Sequence, residues 1–269
     1  MADKSIISNG KLAAIAQAIK AKDATATLPM TVDEMAAAIA AIPTGGGGGI
    51  DAITARMTTD PHTYTNDDIA YVPMYALQGD EGLTSASFAQ ATDILEHALD
   101  GCACMESLSA PNCTTLGDYA LMFCLALADI DFLPTLHAIG TSCFVGGGEY
   151  ETPALSELTL PAITRIWDYA FCDANDPGST YWRLDKLDLG SSSRSDIISI
   201  GEGALCGLFG PLIIRNSRMA SKTGTQDLLG NNSRIMGIYV PDSLVATYKA
   251  DSVWGAASDI IQPLSTYEA

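Results

Sequence analysis

The chain has 269 residues, 48% hydrophobic and 17% charged, with 14 Lys and Arg against 32 Asp and Glu for a formal net charge of −18. That composition supports a sizeable core and excludes a disordered chain, and its carboxylate excess disfavours nucleic-acid phosphates and anionic membrane surfaces as partners. Seven cysteines, an odd number with no C-x-x-C pair, argue against a disulfide framework or a zinc cluster and for small packed side chains.

In chain order, residues 10–22 place Leu12, Ile15, Ala16 and Ile19 at helical spacing. Thr31 and Glu34 form a T-x-x-E capping box, and Met35, Ile39 and Ile42 follow on one face of a second helix that Pro43 ends. The pattern predicts a helical hairpin over residues 1–43, acting as an attachment segment, since helices this short need a partner surface. A DNA-reading helix-turn-helix would need Lys and Arg for phosphate contacts. Residues 44–50 are glycine-rich and predict a flexible linker; they lack the GK[ST] ending and the preceding apolar strand of a phosphate-binding loop. The N-terminus has no apolar h-region, and no run of about 18 apolar residues occurs, so the expectation is a chain made in the cytoplasm without a secretory signal or membrane span.

A repeat then begins near residue 69. Its clearest copy is Ile166-Trp167-Asp168-Tyr169-Ala170-Phe171, preceded by Leu158-Thr159-Leu160-Pro161. The same six-residue shape recurs from Leu116, Ile139 and Ile200, and more loosely from Val72 and Ile94. The alanine slots fall at Ala76, Ala98, Ala120, Cys143, Ala170 and Ala204, with spacings of 22, 22, 23, 27 and 34 residues. The first three lie within the range of about 20–29 residues expected of leucine-rich repeats, and insertions stretch the rest. Period-2 runs such as Leu187-Asp188-Leu189 predict one short strand per rung. The expected fold is therefore an α/β repeat solenoid over residues 51–237, with leucine-rich repeats, a parallel strand per rung and an apolar core shared between rungs. Residues 238–269 then form a C-terminal cap, with Ile238-Tyr239-Val240 as the final strand and Leu244, Val245, Tyr248, Trp254, Ile260 and Ile261 covering the last rung.

The insertions lie at residues 146–153, 173–182, 191–196 and 217–226. Insertions in repeat proteins loop out on one face, and that face often binds. Tyr150, Tyr181 and Trp182 are the candidate ligand-binding residues; the alternative is that these aromatics pack back on the solenoid. Trp167 and Tyr169 lie in the rung beside the second insertion.

Little points to chemistry. His62, His97 and His137 show no zinc-site spacing, and an isolated histidine needs a partner to act as a base. Asp173, Asn175 and Asp176 resemble a calcium loop only loosely and lack its closing Glu. Glu149 with Glu151, and Asp129 with Asp131, suit charged turns. The expectation is no catalytic residue, no metal ligand, no cofactor and no enzymatic activity.

The rungs L-x-L-P … I-x-x-x-A-F resemble the BspA-like leucine-rich repeats of bacterial surface and phage proteins, and the ending from Ile238 is similar to a cap found on that family. The head, KLAAIAQAIKAKDATATLPMTVDEMAAAIAAI, is similar to an N-terminal segment of tail-associated proteins of phages and prophages of gut bacteria. The resemblance implies a non-enzymatic virion protein of a tail or appendage, whose repeats serve host-surface recognition or particle structure. The implied partners are other virion proteins, through the N-terminal helices, and a host-surface glycan or protein. A homo-oligomer is compatible with the head; nucleic acid and a membrane span are not expected. The alternative is a bacterial surface adhesin or protein-interaction module. A glycan-cleaving enzyme on the same scaffold would need a carboxylate pair at a defined site, and no candidate pair stands out.

Overall fold

The computed structural model describes residues 61–146, 153–173, 182–222 and 234–268. The proposed helical head (1–43) and linker (44–50) lie outside the described residues.

Each rung contributes two short strands rather than the single one expected. Seven of them form a narrow sheet: β2 (Tyr71–Val72), β4 (Asp93–Ile94), β6 (Thr115–Leu116), β8 (Ala138–Ile139), β10 (Arg165–Ile166), β12 (Ser199–Ile200) and β14 (Ser221–Lys222). The others form two wider sheets. One holds β1 (His62–Thr65), β3 (Leu83–Ser87), β5 (Ser107–Ser109) and β7 (Asp129–Ile130). The second holds β9 (Glu157–Leu160), β11 (Lys186–Leu189), β13 (Pro211–Ile214), β15 (Gly237–Val240) and β16 (Ile261–Pro263). All pairings are parallel, and within each sheet the paired strands up to β15 are two places apart in the chain, so the chain makes a full turn between partners; between β7 and β9 the wider ladder is interrupted. The first residue of each repeat unit lies in this register: Ile94 opposite Leu116, Leu116 opposite Ile139, Ile139 opposite Ile166 and Ile166 opposite Ile200. These residues are buried and form one column of the shared core.

The α/β expectation is corrected here: the repeats are a parallel β-solenoid, and the one described α-helix, α1 (Val245–Ala250), lies in the C-terminal segment. The physical reason lies in the six-residue unit, which has helix-like apolar spacing but folds as a turn. Its fourth residue takes a left-handed conformation in every copy, at Tyr75, His97, Tyr119, Ser142, Tyr169 and Gly203. That bend aims backbone N–H groups at the next rung: Leu77 donates to Ala98 O at 2.7 Å, Leu99 to Ala120 O at 3.0 Å and Leu121 to Cys143 O at 3.1 Å. A helix would satisfy those donors internally and is about 10 Å wide, too broad to repeat at a strand spacing of about 4.8 Å. Bulky side chains in the left-handed region are costly, and here the inter-rung bonds hold them there.

The alanine slot follows. Ala98, Ala120, Cys143, Ala170 and Ala204 are all fully buried, each followed by a buried Leu or Phe. Close approach also governs the second position of the unit. A Cβ added at Gly140 would stand 2.4 Å from Gly117 C, and one at Gly201 would stand 2.4 Å from Asp168 Oδ1. In the same places Asp118 Oδ1 accepts from Thr141 N at 2.7 Å and Asp168 Oδ1 from Glu202 N at 2.8 Å. Each aspartate thus clasps the rung above, and glycine makes room for the clasp.

At the C-terminal end the chain leaves β15 through a 3-10 turn at Asp242–Leu244, passes through α1 and a second 3-10 segment at Trp254–Ile260, and returns as β16 beside β15. The strand expected to be last is therefore followed by another. Tyr248 and Trp254 are buried against the last narrow strand, with rings 5.3 Å apart and edge-on. Ala220 N–H donates to Tyr248 Oη at 2.7 Å, and Trp254 Nε1–H donates to Ala220 O at 2.9 Å. One residue of the last rung is thus gripped on both backbone polar groups.

Two outcomes follow. Ala120→Leu and Ala170→Leu should each overpack the turn and lose about 1–3 kcal/mol of unfolding free energy, read by urea denaturation. Burial pushes the Tyr248 hydroxyl up to about 12, above its usual 10.0. The folded state thus favours the protonated phenol, so this contribution is complete below pH 10 and declines as pH rises from 10 toward 12. Tyr248→Phe should be less stable at neutral pH and show a shallower loss of melting temperature across that alkaline window.

Candidate binding groove on the narrow sheet

Along the narrow sheet the second residue of each strand from β2 to β12 faces the core, and the first lies on the outer side. That outer row runs Tyr71, Asp93, Thr115, Ala138, Arg165, Ser199 and Ser221. The residue after each strand forms a second row, in which glycine stands at 117, 140 and 201 but tryptophan at 167. Trp167 is flanked by Gly140 in the rung before and Gly201 in the rung after, and its side chain is 46% exposed. The rung beneath it carries Thr141 where Asp118 and Asp168 make their clasps elsewhere. With exposed Ile197 the indole makes a small apolar patch on the solenoid surface.

Arg165 fixes the ring, its guanidinium carbon 4.7 Å from the Trp167 ring centroid. The opposite wall is Ile197, 42% exposed, which follows the loop at 191–196. Asn216 holds that loop: fully buried, it accepts from Ser191 N at 2.9 Å and donates to Asp196 O at 2.8 Å. Between the walls lies an open groove of about 600 Å³, completed by Ala138, Thr164, Ser199 and Ser221. The Thr164 hydroxyl donates to His137 O at 3.1 Å. The Ser199 and Ser221 hydroxyls have no hydrogen-bond partner among the described residues.

Arg183, Lys186, Arg194 and Arg215 each pair with a carboxylate. Arg165 has no carboxylate within ion-pair distance among the described residues. Its guanidinium rests on the indole, and its side chain lines the groove with no hydrogen-bond acceptor among the described residues.

Of the residues expected to bind, Trp182 is not at the surface. It is fully buried, edge-on to Phe144 at 5.4 Å, and its Nε1–H donates to Leu155 O at 2.8 Å. It takes the packed-back alternative, because an indole with an internal carbonyl partner is more stable inside than in water. Tyr150 and Tyr181 lie outside the described residues. Tyr169 is half-buried over Gly203, beside Cys172 and Cys206. The sequence signal that would have found the groove was present: one Trp in a row of glycines, with an Arg two residues earlier.

Two of the three histidines have carboxylate neighbours, whereas the buried Nδ1 of His137 has no hydrogen-bond partner among the described residues. His62 Nε2 lies 3.0 Å from buried Asp80 Oδ2. His97 Nδ1 lies 3.0 Å from Asp100 Oδ2, its ring stacked between Tyr75 at 5.2 Å and Tyr119 at 4.6 Å. Asp131 accepts from Ser109 Oγ at 2.6 Å and Ala110 N at 2.8 Å, closing a turn. Among the described residues no group of three or more His, Cys, Asp or Glu is placed to hold a metal ion, and no helix is long and apolar enough to cross a membrane. The cysteines are free; six are buried and Cys104 is exposed. Burial raises the Cys113 thiol to about 12 and pushes Cys124 and Cys143 up as well, so these remain protonated. A thiol-specific reagent should therefore titrate one cysteine quickly in the native chain, and the other six only on unfolding.

Residues 62–176 match the model of the BspA type leucine rich repeat region, in six copies. Among solved structures, the chain is similar to a leucine rich repeat protein of T. pallidum, at 18% identity over 72% of this chain and 84% of that one, with a TM-score of 0.48. It is also similar to a leucine rich cell surface protein of Faecalibacterium prausnitzii A2-165, at 19% identity over 67% of this chain and 48% of that one, with a TM-score of 0.43. No curated protein matches the chain.

Proposed function

We propose that this chain is a non-enzymatic binding module of the adhesin or protein-interaction type, and that it meets its partner on the outer face of the narrow sheet around Trp167. The carrying observation is the exposed Trp167 indole, braced by Arg165 and raised between two glycine positions. Tryptophan and arginine are the side chains most often found at the energetic centre of an interface, and they act best when the scaffold holds them before the partner arrives. Here the scaffold is a hydrogen-bonded ladder, and buried Asn216 fixes the facing loop. The match of residues 62–176 to a leucine-rich repeat region supports the same reading, since such repeats present extended binding surfaces.

The narrower reading places the repeats on a phage or prophage particle, mounted through residues 1–43 on other virion proteins. Its motivation rests on residues outside the described ones, and neither the matches nor the groove supports it, so the adhesin or interaction module is carried forward.

The test is binding of the fluorescently labelled full chain to bacterial and epithelial cell surfaces, with Trp167→Ala alongside. Saturable binding that falls about tenfold or more in the variant is expected, given the usual weight of a central tryptophan. Saturable binding unchanged by the substitution would move the contact to another face. No saturable binding to any surface would overturn the module reading.

A further inference from the structure

Resting on that reading, we propose that the Trp167 groove takes a pyranose bearing a single carboxylate, with the sugar's C–H face on the indole and the carboxylate on Arg165. The groove lacks the features of a peptide or protein site. Strands β8, β10 and β12 are paired on both sides, so the face offers no free strand edge to an extended peptide. Its large exposed apolar groups are one tryptophan and one isoleucine, Ile197, a small area beside the roughly 800 Å² that each partner buries in a standard protein interface.

What the groove offers fits a sugar ring. Gly140 and Gly201 carry no side chain beside Trp167 along the ladder, so a flat ligand can lie against the part of the indole that Arg165 does not cover. One flat apolar surface bordered by a few oriented polar groups is the usual build of a small-ligand site. The Ser199 and Ser221 hydroxyls, without partners among the described residues, can each donate and accept, as ring hydroxyls require.

The charge follows from Arg165. A guanidinium that touches an aromatic face keeps its in-plane N–H donors, whose planar fork matches a carboxylate bidentately. The wider field limits how much negative charge is welcome. A chain of net charge −18 repels a polyanion, whereas a lone carboxylate beside Arg165 responds mainly to charges within about 8 Å at physiological salt. The fitting ligand is therefore an otherwise neutral glycan carrying one acidic sugar.

The chain carries a built-in reporter. Of its three tryptophans, Trp182 and Trp254 are buried, so acrylamide quenching of the native protein reads Trp167. The probes are 3′-sialyllactose and methyl β-glucuronide, with lactose, heparin and an acidic tripeptide as comparators. Saturable protection by at least one acidic sugar is expected, with lactose about tenfold weaker, since about 1.4 kcal/mol separates a made from a lost charged contact. Arg165→Met should bring the acidic sugar down to the level of lactose, and Trp167→Ala should abolish binding followed by calorimetry. Both positions are exposed, so melting curves should stay unchanged. Equal affinity for lactose, stronger binding of heparin or of the acidic tripeptide, or indifference to Arg165→Met would each overturn the proposal. If no sugar protects the indole while Trp167→Ala still lowers cell-surface binding, the sugar inference fails and the module reading stands.

Discussion

The rest of this structure depends on the hydrogen bonds between successive turns. Each strand is only two to five residues long, and a strand pair of that size has little stability of its own. What holds the rungs is repetition: backbone donors of one turn meet carbonyls of the next, at intervals fixed by the ladder. Side-chain identity follows from that spacing. The turn must bend left-handed, the residue after the bend must be small, and the one after that must reach into the core. Where an aspartate clasps the rung above, the residue facing it is glycine.

This constraint explains how a binding feature can arise without disturbing the fold. At Gly117, Gly140 and Gly201 an added Cβ would meet the backbone of the rung before, whereas Trp167 follows a rung in which Thr141 stands where Asp118 and Asp168 make their clasps. Its indole there reaches solvent. The scaffold supplies rigidity, and a departure from the repeat supplies the candidate site.

The sequence made the rung spacing, the alanine slots and the capping role of Tyr248 and Trp254 legible, because those positions answer to burial and size. It did not show the second strand of each rung. A two-residue strand such as Arg165–Ile166 has too short a period to read, and the unit's i, i+4 apolar spacing imitates a helix. The left-handed bend escaped for a related reason: it carries Tyr, His and Ser rather than glycine in most copies, since tertiary hydrogen bonds hold it there. Aromatics in insertions drew attention to Trp182, yet no local pattern distinguishes an indole that finds an internal carbonyl from one that meets water. Trp167 was visible as part of the motif, and its meaning came from the column it interrupts, which exists only once the rungs are stacked.

The return of the chain as β16 has a consequence for assembly. A ladder of identical rungs is a one-dimensional lattice, and each new layer leaves the same unpaired backbone for the next. Here the terminal layer is only three residues long and ends in Pro263, which has no N–H to offer, while Leu264–Thr266 turns the chain aside at once. The last rung is therefore a poor template for another copy of the chain.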